Sequence, residues 1–202
     1  MTRTMVVTCG ATVPFPSLVQ AVLDLDFLTT IRERWNFKKV VIQYGRGFGG
    51  EFEKRVKALG SASAHGKEAI GKASRDLGVE LEVHGRVAAV EICGFAFTTD
   101  IEGLLRVHAD LVISHAGTGS ILDALRLHKR LVVVANTGLM DNHQLQITDR
   151  LRSRGHLVAA HDATSVAVLE AVVSAMEADS TTPLATGTSE AFTNLLLNVA
   201  NS

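Results

Sequence analysis

The chain has 202 residues, 47% of them hydrophobic and 20% charged, with a formal net charge of -1. That is the make-up of one globular domain with a sizeable core. A balanced charge without blocks of like sign gives no footprint for nucleic acid or an anionic membrane surface, and the longest aliphatic run, residues 131–135, falls far short of the roughly 20 residues that a spanning helix needs. Met1 leads straight into a strand-like segment, so no signal or transit peptide is expected and a cytosolic protein is. Cys9 and Cys93 sit at predicted strand ends, which suits small buried thiols in a reducing compartment better than a disulfide framework.

Short β-branched runs alternate with segments of helical period, the pattern of a parallel sheet wrapped by helices. Residues 5–8 predict a first strand and 10–14 the turn after it. Pro16 suits the first position of a helix with Leu18, Val22 and Leu25 on one face. A second strand is expected at 39–43, a glycine-rich loop at 45–50, and then a helix burying Phe52, Val56 and Leu59. Residues 61–78 are mostly Ala, Ser, Gly, Lys and His and predict a surface excursion of disorder-prone composition, an insertion within 61–80. Order returns at 81–83 and 87–92, followed by a turn at Cys93, Gly94 and Phe95 and a helix near 101–107.

Residues 110–113 predict a buried strand running into Ser114, His115, Ala116, Gly117, Thr118, Gly119 and Ser120, with a helix after them that buries Ile121, Leu122 and Leu125. A strand at 131–135, a helix opened by residues 141–144 and continuing through Ile147 and Leu151, and a last strand at 156–160 follow. A helix with Val166, Leu169, Val172, Val173 and Met176 on its buried face closes a single Rossmann-like α/β domain over 1–178. A linker at 179–188 leads to a C-terminal amphipathic helix, 189–202, striped by Phe192, Leu195, Leu196 and Val199.

The strand, glycine-rich turn and helix around residues 114–120 carry the strongest chemical signal. A helix start offers unpaired N–H groups and partial positive charge to a phosphate. Gly117 and Gly119 let a ligand approach the backbone, and Thr118 and Ser120 add hydroxyls; the plain alternative is that Ser120 caps the helix and Gly117 turns the chain. Other phosphate loops do not fit. No Gly-Lys-Ser/Thr triplet exists for a P-loop. Leu122 occupies the third glycine position of a dinucleotide fingerprint, and no serine has the flanking glycines of a hydrolase elbow.

His115 and the segment Asp141, Asn142, His143, Gln144 follow neighbouring strands, so a parallel sheet carries both to its carboxyl edge. An amide-rich cluster there suits sugar hydroxyls, which need neutral donors and acceptors together; alternatively Asp141 and Asn142 cap a helix and His143 is solvated. No His, Cys or carboxylate set has a recognised metal spacing, so neither a metal nor a cofactor is expected.

Residues 7–15 (VTCGATVPF), 110–126 (DLVISHAGTGSILDALR) and 139–146 (LMDNHQLQ) closely resemble the small catalytic subunit family of the eukaryotic dolichyl-diphosphate N-acetylglucosamine transferase. The resemblance extends in order over nearly the whole chain and is weakest at 61–78 and at the C-terminus. It implies the donor-binding, C-terminal half of a two-domain GT-B glycosyltransferase. A separate membrane-anchored subunit would supply the acceptor half and hold the chain at the cytosolic face of the endoplasmic reticulum. The implied reaction is inverting transfer of N-acetylglucosamine from UDP-GlcNAc to dolichyl-diphosphate-GlcNAc, without a divalent ion.

By the same resemblance, Gly10, Thr12, Ser114, His115 and Gly117 to Ser120 face the donor diphosphate, Asp123 the ribose, and Gly94 and Phe95 the uracil. Asn142, His143 and Gln144 face the sugar. The catalytic candidates are His115 and His143; the base stays unassigned between His143, Asp141 and the partner. The stripe at Phe192, Leu195, Leu196 and Val199 is expected at the subunit contact, with docking on its own domain as the alternative. Two other functions fit a phosphate loop. A non-catalytic UDP-sugar-binding scaffold would bind without turnover, and a UDP-sugar epimerase would need a second domain on its own chain.

Overall fold

The computed structural model describes residues 2–60, 67–135 and 142–178, with the side chains at 67 and 142–147 outside the description. In chain order the elements are β1 (Arg3–Thr8), α1 (Pro16–Val22), α2 (Leu25–Trp35), β2 (Phe37–Gln43), α3 (Gly49–Leu59), α4 (Lys67–Leu77), β3 (Val83–Val87) and β4 (Val90–Phe95). They continue as α5 (Ile101–His108), β5 (Leu111–Ser114), α6 (Thr118–Arg126), β6 (Arg130–Val134), α7 (Asn142–Ser153), β7 (Val158–Ala160) and α8 (Ser165–Glu177). The strands form one seven-stranded sheet in the order β3-β4-β2-β1-β5-β6-β7. All pairings are parallel except the β3–β4 hairpin at one edge. The expected parallel α/β domain is what forms.

Burial on both faces explains the Val- and Ile-rich strands. Met5, Val7, Leu111 and Ile113 point into a core with Leu18, Phe27, Phe52 and Val168. Val6 and Val112 point into a second core with Leu105, Ile121 and Leu151. Thus α1, α2, α3 and α8 cover one face and α4 to α7 the other. From β1 the chain moves outward to β2, β3 and β4, then returns to place β5 on the other side of β1. The strand order therefore reverses between β1 and β5, the place where open α/β sheets bind ligands.

Several elements depart from the sequence expectation. The helix after Pro16 ends at Val22, and Asp24 starts a new one by accepting from the N–H groups of Asp26 and Phe27, both at 3.0 Å. Leu25 is consequently 48% exposed instead of buried. Residues 67–77, expected as part of a disorder-prone excursion, form α4, with Ala73 and Leu77 in the core; residues 61–66 lie outside the description. The strand expected to turn at Cys93 runs on through Phe95. On α8 the buried face is Ala167, Val168, Ala171, Val172 and Ala175, while Val166 is 66% exposed. Small alanines let this helix lie close to the sheet, so its core side is not its largest side chains. Leu59, expected buried, is 40% exposed at the end of α3. Cys9 and Cys93 are free and buried, as the sequence suggests.

Candidate functional site

The loops that follow β1 and β5 meet at the switch point. Thr8 and Ser114 are register partners at the ends of these strands. The next residue, His115, donates its backbone N–H to the Thr8 carbonyl at 3.0 Å, and its ring Nδ1 lies 3.0 Å from the same oxygen. A carbonyl only accepts, so Nδ1 carries the proton, and the neutral ring presents a bare Nε2. Burial pushes the His115 pKa below its ordinary value, with the Thr8 carbonyl opposing more weakly. The resting ring is therefore neutral.

Two glycines enclose that ring. A Cβ on Gly10 would meet Nε2 at 2.9 Å, and one on Gly117 would meet Cε1 at 2.6 Å and Nε2 at 2.7 Å. Gly10 also has φ +88°, a conformation side chains disfavour. Ala116, between the histidine and Gly117, takes φ +70° although it is not glycine. The chain thus turns sharply from β5 into α6, around the imidazole.

Gly117, not Ser120, is the N-cap of α6, and no side chain caps this helix start. The first return bond runs from Ile121 N–H to the Gly117 carbonyl. The N–H groups of Thr118, Gly119 and Ser120 precede it and have no partner within the helix. Gly119 is exposed, with no atom within 4 Å of where its Cβ would be. Bare amides at the positive end of a helix dipole, opening beside a conformationally fixed histidine, form an anion cradle.

The remaining expected residues divide. Thr12 is exposed in the β1–α1 loop at the same sheet edge as the cradle. Asp123 lies one turn further along α6, and burial, then Glu102, raises its pKa while Arg126 opposes. Ser114 is fully buried, and its hydroxyl, like that of Thr8, has no hydrogen-bond partner among the described residues. Gly94 and Phe95 belong to packing: a Cβ on Gly94 would strike the Phe52 ring at 2.3 Å, and Phe95 is fully buried. Asn142, His143 and Gln144 open α7, the element after β6, which puts this backbone at the cradle's sheet edge. Asp141 and the stripe of Phe192, Leu195, Leu196 and Val199 lie outside the described residues.

Two residues without a motif signal stand at the same edge. The guanidinium of Arg46 lies 4.6 Å from the centroid of Phe97, which is 40% exposed, and the Arg46 N–H donates to the Ala11 carbonyl at 3.1 Å. They link the loops after β1, β2 and β4. Nothing in the linear spacing of 46 and 97 announces this pair. A groove of about 730 Å³ between α1, α2 and α3, lined by Leu23, Leu25, Arg55 and Leu59, shares no residue with the cradle.

The profile of the glycosyltransferase family 28 C-terminal domain matches residues 4–199. A protein of Eremothecium gossypii named UDP-N-acetylglucosamine transferase subunit ALG13 is 44% identical over 201 residues, covering 98% of this chain and 94% of that protein. The Saccharomyces cerevisiae protein of the same name is 41% identical over 160 residues, 77% of this chain and 76% of that one. The NMR solution structure of ALG13 superposes with a TM-score of 0.70 at 35% identity, covering 100% of this chain and 98% of that one. Acinetobacter baumannii MurG shares the fold, with a TM-score of 0.54 at 13% identity, and this chain spans 50% of it. The chain belongs to the family of the glycosyltransferase family 28 C-terminal domain.

Proposed function

We propose that the chain is the donor-binding subunit of a transferase that moves N-acetylglucosamine from UDP-GlcNAc to dolichyl-diphosphate-GlcNAc, with inversion at the anomeric carbon. The observation that carries this reading is the uncapped start of α6 at the β1–β5 switch point, next to the ring of His115. The choice of sugar nucleotide is supported by the relatives, which are UDP-N-acetylglucosamine transferase subunits.

As the glycosidic bond breaks, negative charge grows on the departing UDP. The amides of Thr118, Gly119 and Ser120 are already oriented to stabilise it, so no divalent ion is needed there. His115 responds to the same charge. A diphosphate beside Nε2 favours protonation of the ring, and Nε2–H then donates to a phosphate oxygen while Nδ1–H keeps its bond to Thr8. Gly10 and Thr12 border the diphosphate from the β1 side, and Asp123 accepts from the ribose hydroxyls. Phe97 and Arg46 present surface to the uracil in place of the buried Phe95. Asn142, His143 and Gln144 hold the sugar, with the base supplied by His143, Asp141 or the partner.

A membrane-anchored acceptor subunit completes the cleft, holds the chain at the cytosolic face of the endoplasmic reticulum and contacts the C-terminal stripe. No helix among the described residues is long and apolar enough to cross a membrane. The test is incorporation of labelled N-acetylglucosamine into lipid-extractable product, with the chain alone, partner-containing membranes alone, and both mixed. The proposal expects product only in the mixture. Product from the chain alone removes the partner requirement. Binding of UDP-GlcNAc without product in the mixture makes the chain a scaffold.

A further inference from the structure

We propose that the β3–β4 hairpin carries a binding site for a zinc-class divalent ion, formed by His84, Glu91 and Cys93. This site is independent of the donor-binding reading and lies on other strands. His84 faces Cys93 across the antiparallel ladder, and Glu91 is two residues before Cys93, so all three side chains project from one face. Their ligand atoms lie within 4.8 Å of one another. His84 Nε2 is 3.0 Å and Cys93 Sγ 3.8 Å from the same oxygen, Glu91 Oε1. A tetrahedral zinc ion, with bonds of about 2.0–2.3 Å, needs donor atoms roughly 3.5 Å apart. The arrangement requires rotamer adjustment and no backbone movement, since paired strands fix all three positions.

The donor set selects the ion. One imidazole, one carboxylate and one thiol suit zinc; a buried thiol does not suit calcium or magnesium, which take oxygen ligands. Three protein ligands leave a fourth position for water. Cys93 is fully buried, whereas the side chains of His84 and Glu91 are 17% and 26% exposed, so the ion enters from the His84 and Glu91 side. Lys39 pairs with the other carboxylate oxygen, Oε2, at 3.4 Å, orienting Oε1 toward the histidine and the thiol. A thiol binds zinc as the thiolate, so ion binding displaces one Cys93 proton to solvent. The cluster is invisible in linear spacing because the hairpin register, not a local motif, assembles it.

The test is titration of the full-length, untagged, metal-depleted chain with Co²⁺, followed by displacement with Zn²⁺. The expected result is one equivalent of cobalt with a thiolate-to-cobalt charge-transfer band and intense tetrahedral d–d bands, both abolished by zinc. Cys93→Ser removes the charge-transfer band and Cys9→Ser retains it. His84→Ala and the shape-preserving Glu91→Gln weaken zinc by more than about tenfold, the scale on which even outer-shell partners act. A missing thiolate band, a band that survives Cys93→Ser, or a zinc affinity unchanged in both His84→Ala and Glu91→Gln overturns the proposal.

Discussion

The backbone of Gly117 lies so near the ring of His115 that a Cβ there would stand 2.6 Å from Cε1 and 2.7 Å from Nε2. Gly117 itself adopts an ordinary extended conformation, φ -65° and ψ 125°, so the requirement for glycine is one of space. Gly117→Ala must displace the ring from the Thr8 carbonyl. UDP affinity is expected to fall at least about tenfold, the loss of one or two charge-assisted contacts, in a chain that still unfolds cooperatively. Titration calorimetry measures it; unchanged affinity would separate the ring from the cradle.

His115 also predicts a pH dependence of stability. Its folded pKa is held below the ordinary 6.5 by burial, so the unfolded chain takes up this proton first. The contribution is fully present above about pH 6.5 and is lost as pH falls through the lower folded value. His115→Asn lacks it. The gap in Tm between the original chain and the variant should shrink from about pH 8 to about pH 5. Parallel Tm curves would contradict the neutral, buried imidazole.

Asp123 should read the ribose. The original chain is expected to prefer UDP over 2′-deoxy-UDP, and Asp123→Asn to weaken UDP by about tenfold and abolish that preference, as for one hydrogen bond to a charged group. A preference that survives the substitution would assign the ribose to another residue.

Gly94→Ala should act on the fold. The added methyl would meet Phe52 at 2.3 Å in a ring that packs 4.7 Å from Tyr44. Overpacking of this kind costs about 1–3 kcal/mol. Chemical denaturation should show the loss, with UDP affinity unchanged under conditions where the chain is folded. A selective loss of binding at full stability would restore Gly94 to the uracil site.

The sequence states the sheet and the strand–turn–helix at residues 111–126 well because both rest on local signals: β-branched runs, and glycines between a strand and a helix. It misleads where two local signals compete. Leu18, Val22 and Leu25 share a helical face on paper, yet Asp24 caps a new helix between them. The polar, small-residue sequence of α4 resembles a disorder-prone excursion until Ala73 and Leu77 find the sheet. Phe95 occupies a plausible loop position but is the last residue of a longer strand and is buried. The tautomer of His115 depends on the Thr8 carbonyl, 107 residues away. That contact follows from the register of β1 with β5, which no short-range pattern encodes. The Arg46–Phe97 pair is hidden for the same reason.

The most direct measurement follows the backbone amides of the isotopically labelled chain by NMR as UDP is added without any divalent ion. The account predicts the largest shifts at Thr118, Gly119 and Ser120, with Gly10 and His115 moving in the same titration. Saturable UDP binding that leaves the three α6 amides unmoved would contradict it.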